Sequence, residues 1–247
     1  MARIDLRNCT IRLKDGLSGT AAVNQPATAP VATDTTMTID TIVLNTTDTD
    51  LVPVGARFTM AGETAATTVH TVTVRTPTST SPTTSITFTP ALGAGTYVDG
   101  GVLTFTSQQI DIKIGDGDFK YTEADQYKYD LDRGVLDTVR TGDDQPMEIT
   151  MNFTFEHVKS GTGEAITPIE ALKGADAAAE WVSSSADLCE PYAVDVEVLN
   201  VPPCGTTGSD TYLFPDFRSE KRDYDIKNAT IAVSGKCNAI EPTITRA

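Results

Sequence analysis

The chain has 247 residues, enough for one large or two modest domains, each burying a core of its own. Its hydrophobic content of 39% and charged content of 21% sit near globular averages and exclude general disorder. A formal net charge of −15 and a pI near 4.4 exclude attraction to phosphate backbones or anionic membranes, and with it sequence-specific nucleic-acid binding and membrane binding.

The first segment, "RIDLRNCTIRLKDG", reads as a strand with Ile4, Leu6, Cys9, Ile11 and Leu13 alternating around a bulge at Arg7 and Asn8. It holds no apolar run of signal-peptide length, and no stretch of the chain reaches the roughly 18 apolar residues of a membrane helix. Synthesis and retention in a cytosol are expected. Residues 18–30, "SGTAAVNQPATAP", form a small-residue, proline-rich linker.

From Thr33 to Thr106 threonine occurs 24 times, and between Asp15 and Ile112 the only basic residues are Arg57 and Arg75. Short β-type runs recur here, "TTMTIDTIVL", "ARFTMAG", "VHTVTVRT", "TSITFTPAL" and "GVLTFTSQ", broken by Pro, Gly, Asn and Asp turn signals. This pattern predicts a small all-β sandwich or barrel over 25–106, inserted into a host domain built from 1–20 and 107–247.

The host resumes with Ile110, Ile112 and Ile114 alternating before the "GDGD" turn. "YDLDRGVLDTVRTGDDQP", residues 129–146, is read as a long connection carrying both charge and exposed apolar side chains, hence a docking arm for another subunit. "PMEITMNFTFEHV" follows, with Met147, Ile149, Met151, Phe153 and Phe155 on one side and Glu148, Thr150, Asn152, Thr154 and Glu156 on the other. Thr167 as cap, Pro168 at N1, Glu170 at N3 and Gly174 at the end predict one helix, with Trp181 beyond it as a core anchor. Strands at 190–199 and 211–226 and the run "NATIAVSGKCNA" complete a mainly β, antiparallel host domain with one flanking α-helix.

Little in the sequence suggests chemistry. With His70 and His157 as the only histidines, a histidine triad or zinc site has little material, so neither catalysis nor a metal or cofactor is expected. "IGDGDF" lacks the closing Glu of a calcium loop and reads as a solvated turn. "SGTGEAITP" lacks the Lys-Ser/Thr of a phosphate loop and reads as a flexible loop. Cys9, Cys189, Cys204 and Cys237 form no C-x-x-C pair and are expected as buried thiols, with a Cys189–Cys204 disulfide the alternative.

The run "QIDIKIGDGDFKYTEADQYKYDLDRGVLDTVRTGDDQPMEITMNFTFEHV", with "ITPIEALKG", "DLCEPYAVDVEV" and "YLFPDFRSEKRDYDIKNATIAVSGKCNA", resembles the major tail tube protein of long-tailed, non-contractile bacteriophages. The resemblance covers residues 1–17 and about 107–247. It implies the tail-tube fold, a β-sandwich or barrel with a flanking helix, oligomerised into hexameric rings that stack into a tube in the virion tail after assembly in the host cytoplasm. The partners implied are copies of the chain itself and, transiently in the lumen, the tape measure protein and the genomic DNA that is ejected. On that reading Glu148, Thr150, Asn152, Thr154 and Glu156 line a negatively charged lumen. Asp130, Leu131, Asp132, Arg133, Val135, Leu136, Asp137, Val139, Arg140, Asp143 and Asp144 form the inter-subunit arm. The threonine-rich module resembles the small immunoglobulin-like decorations that some tail proteins carry outward. The alternatives are a surface adhesin or carbohydrate-binding β-sandwich, and a tail terminator or baseplate ring.

Overall fold

The computed structural model describes residues 9–25, 29–45, 52–65, 68–77, 84–112, 118–133, 135–154, 166–185, 187, 189–201 and 208–246. The bulge expected at Arg7 and Asn8, most of the "GDGD" turn, Glu156, His157 and Cys204 lie outside these residues. The chain divides into two compact units, one of Met1–Leu13, Ile110–Val158 and Asp187–Ala247, the other of Lys14–Gln109 and Lys159–Ala186.

In chain order the strands are β1 (Cys9–Lys14), β2 (Gly19–Val23), β3 (Thr36–Leu44), β4 (Arg57–Met60), β5 (His70–Pro77), β6 (Thr84–Thr89), β7 (Val102–Thr106) and β8 (Gln109–Ile112). There follow β9 (Phe119–Thr122), β10 (Tyr127–Asp132), β11 (Val135–Thr141) and β12 (Glu148–Thr154), then helix α1 (Pro168–Lys173). The last strands are β13 (Val194–Asn200), β14 (Asp210–Asp225), β15 (Thr230–Lys236) and β16 (Thr243–Arg246). The protein is mainly β, with antiparallel sheets and one closed six-stranded barrel.

The first unit holds an eight-stranded sheet in the order β8-β1-β13-β14-β15-β12-β9, with β16 also on β14. Alternation dictates its buried face: Ile149, Met151 and Phe153 of β12 are close to fully buried, as are Val194, Val196, Phe214, Phe217, Ile231 and Val233. β14 is long enough to serve two pairings, β13 through residues 210–217 and β15 through 218–225. Within the β13 pairing, where its register shifts, Asp216 takes a positive φ of 50°, and its N–H donates to the Asp195 carboxylate at 3.0 Å. Phe119 and Tyr121 of β9 lie 5.4 and 5.0 Å from the Phe214 ring, although β12 and β15 separate β9 from β14 in the sheet. The sheet therefore folds over, closing a layered core between its halves.

In the second unit, strands β2-β3-β6-β5-β4-β7 close into the barrel. Met37, Ile39, Phe58, Ile86, Phe88, Leu103 and Phe105 fill it, while threonine occupies many of the alternate positions, where a β-branched side chain suits a pleated surface and its hydroxyl meets water. Gly19, at φ 139°, admits no side chain, since a Cβ there would stand 2.1 Å from the Val43 carbonyl oxygen.

Helix α1 forms as its end signals dictate. Thr167 caps it, the Glu170 side chain answers in a capping box, and Gly174 closes it in the left-handed conformation. The helix and the residues after it group with the barrel, where the sequence places them in a unit of 1–20 and 107–247 beside one of 25–106. The physical reason is a set of long-range ties. Glu180 accepts from the Val54 N–H at 2.7 Å and pairs with Arg75 at 3.2 Å, and the Val182 carbonyl accepts from the Gly16 N–H at 3.0 Å. The second unit is thus built from two stretches of chain.

Candidate assembly surfaces

Two surfaces of the first unit stand out, the polar face of β12 and the ribbon formed by β10 and β11. On β12, Glu148 and Thr150 are exposed and Asn152 and Thr154 half-buried, as the alternation required. Neighbouring strands set the context. Glu148 stands between Thr122 of β9 and Lys236 of β15, and Thr150 between Lys120 and Ser234. One strand further on, Lys236, Ser234, Ala232 and Thr230 face Arg218, Lys221, Asp223 and Asp225 of β14.

Charge on this face is matched rather than uniformly acidic. Lys236 reaches Glu148 at 3.6 Å, Lys221 reaches Asp223 at 2.6 Å, and Arg218 turns to Glu190 and to the Pro191 carbonyl. Lys120, Lys221 and Lys236 thereby stand against Glu148, Asp223 and Asp225. The cations come from β9, β14 and β15, whose register against β12 the sequence does not reveal.

The part of the sheet around β12 has two open sides among the described residues. β9 pairs only with β12. β15 and β16 run along one side of β14, while β13 flanks the other only as far as Phe217, leaving residues 219–225 with backbone groups that have no strand beyond them.

The expected connection over 129–146 is itself a β-hairpin. β10 pairs with β11 from Tyr127↔Thr141 to Asp132↔Val135, and Arg133 takes φ 52° at the turn. The Gly142 N–H donates to the Gln126 carbonyl at 2.7 Å, closing the base. Between Asp130 and Leu131 the register shifts, so that Asp137 is an extra residue on β11 and Leu136 comes opposite Leu131. One face consequently carries Tyr127, Tyr129, Leu131, Leu136 and Val139. The other carries Lys128, Asp130, Asp132, Val135, Thr138 and Arg140.

Arg140 lies 3.0 Å from Asp130, and Lys128 lies 3.4 Å from Asp143 in the returning segment, beside Asp144. All described residues of both strands are exposed, Tyr129 at 61% and Leu131 at 65%, and the ribbon pairs with no other strand among the described residues. Tyr127 and Tyr129 extend the apolar set beyond the residues singled out from sequence; the alternation in "YKYDL" is the signal that marks them.

Elsewhere the polar groups serve the fold. His70 is fully buried in the barrel and stacked on Phe58, with Nδ1 2.8 Å from the Pro90 carbonyl and Nε2 3.0 Å from Glu63. Glu63 also accepts from the Gly93 N–H at 2.7 Å, so the pair holds the 90–93 turn. Phe58, Phe88, Phe105 and Tyr97 are all buried, leaving none of them on the barrel surface to stack on a sugar. Among the described residues no cluster of His, Cys, Asp and Glu could hold a metal ion. Cys9, Cys189 and Cys237 carry thiols, of which Cys189 is exposed; burial pushes the Cys237 thiol up to about 12. In comparisons with protein-family models, curated proteins and solved structures, nothing matches this chain.

Proposed function

We propose that this chain is a structural subunit of a bacteriophage tail tube, polymerising as stacked hexameric rings around a lumen that passes the tape measure protein and the genome. The observation that carries this reading is the β10–β11 ribbon. A two-stranded hairpin is marginal in water on its own, and five apolar side chains displayed together on one of its faces mark a surface made to be covered. A second copy of the chain is the cover that turns this face into a polymer contact.

The open sides at β9 and at residues 219–225 of β14 support ring closure. Edge strands template pairing, and a cyclic oligomer satisfies every such edge with the same contact. In such a ring the polar face of β12 is the wall past which DNA slides. Its matched charges suit the task, because lysines already held by carboxylates release few counterions to a phosphate backbone and so bind it weakly. The barrel unit is read as an outward decoration.

The test is the double variant Leu131→Asp, Val139→Asp. Both residues are exposed, so the subunit should melt at the wild-type temperature yet remain monomeric by sedimentation velocity under conditions where the wild type forms filaments. Filaments of normal length from this variant would remove the ribbon from the assembly and the reading with it.

A further inference from the structure

Asp15 is buried at the start of the second unit, and two of its backbone partners come from distant chain segments. Its Oδ1 accepts from the Leu17 N–H at 3.1 Å and the Gln108 N–H at 2.6 Å. Its Oδ2 accepts from the Gln108 side-chain Nε2 at 3.0 Å and, at 3.3 Å, from the Val182 N–H. The carboxylate thus ties the residues before β2, the residues after β7 and the segment that follows α1.

Beside it, Gln108 Oε1 is buried and has no hydrogen-bond partner among the described residues. That oxygen occupies space left by Gly55, where a Cβ would stand 2.6 Å from it. A half-turn of the Gln108 amide exchanges its oxygen and nitrogen, bringing an acceptor to the position from which Nε2 now donates to Asp15. The site is therefore equipped for either protonation state of the acid.

We propose that Asp15 and Gln108 form a protonation latch, in which uptake of a proton on Asp15 Oδ2 turns the Gln108 amide, so that Oδ2–H donates to Oε1, and releases the Val182 N–H. The leaving tie is the longest of the four, and a carboxyl hydroxyl oxygen accepts more weakly than a carboxylate. Oδ1 keeps both of its bonds in either state. Burial pushes Asp15 up to about 6 against the pull of its four donors, which places the change in mildly acidic medium. The charged residues on the neighbouring segments include Lys14, Arg57, Arg75, Asp176 and Glu180, with Glu170 and Lys173 on α1. Arg75 and Glu180 are engaged with each other, and the upward shift at Asp15 comes from burial, opposed by its hydrogen bonds, rather than from any of these charges.

Residue-resolved amide hydrogen exchange on the full-length protein tests the latch. Corrected for the intrinsic pH dependence of exchange, protection of the Val182 amide should fall about tenfold, the loss of one hydrogen bond, as the pH drops from 7.5 to 5, while Leu17 and Gln108 stay protected. Asp15→Asn presents an oxygen and an N–H as the protonated acid does, and should leave Val182 weakly protected at both pH values with no step between them. Equal protection of wild-type Val182 at both ends of the range would overturn the proposal even if the variant fails to fold, and so would a folded variant with wild-type protection.

Discussion

Asp15 shows how a single residue sets a pH dependence. Its ordinary value of 3.8 applies to the unfolded chain, and burial raises it to about 6 in the folded one. The folded state therefore binds the proton more tightly. This contribution to stability is fully present below about 3.8 and is lost as the pH rises through 6, amounting to about 3 kcal/mol at the limit. Urea titrations at pH 4.5 and pH 7.5 should show the wild type gaining stability in acid relative to Asp15→Asn, whose side chain does not titrate over that range; parallel curves for the two proteins would mean that Asp15 keeps its ordinary value. Other residues were visible in the sequence only as types. His70 read as poor material for catalysis, but nothing in "VHTVTV" says that both ring nitrogens meet acceptors or that Glu63, seven residues earlier, is one of them.

Elements were legible where their cause is local. Thr167, Pro168, Glu170 and Gly174 specify α1 through contacts within a few residues, and the structure repeats those signals. Thr167→Ala removes the cap and should destabilise the second unit by about 1 kcal/mol, read as a fall in its melting temperature that Thr167→Ser largely avoids; an unchanged melting temperature would mean that the helix depends on packing alone. β12 was equally plain, because alternation over 147–154 needs only one register to be right. The ribbon was not. Read with an unbroken period of two, "VLDTVRT" places Leu136 and Val139 on opposite sides, and only the bulge at Asp137 unites them. An unbroken period of two therefore reads the segment as a loop, although its apolar content already argues for a partner.

At the scale of the whole molecule, composition along the chain does not say which segments pack together. The swing from threonine-rich to mixed-charge sequence misses the barrel's first strand, since β2 lies within residues 18–30 that read as a linker, and the attachment of 166–185 to the barrel rests on pairs such as Asp15 and Val182, 167 residues apart. Charge followed the same rule. A total of −15 describes the protein, whereas the face around β12 is set by which strands lie beside it, and these contribute lysines.

Among the described residues, the first unit combines an apolar ribbon without a cover and a sheet open on two sides, features that a lone subunit leaves unsatisfied. Polymerisation is the claim on which the functional reading depends. Negative-stain electron microscopy of the purified full-length protein across a concentration series tests it most directly. The account predicts hollow filaments of stacked rings that lengthen as concentration rises; a field of dispersed single subunits at the highest concentration, or of single rings that never stack, would contradict it.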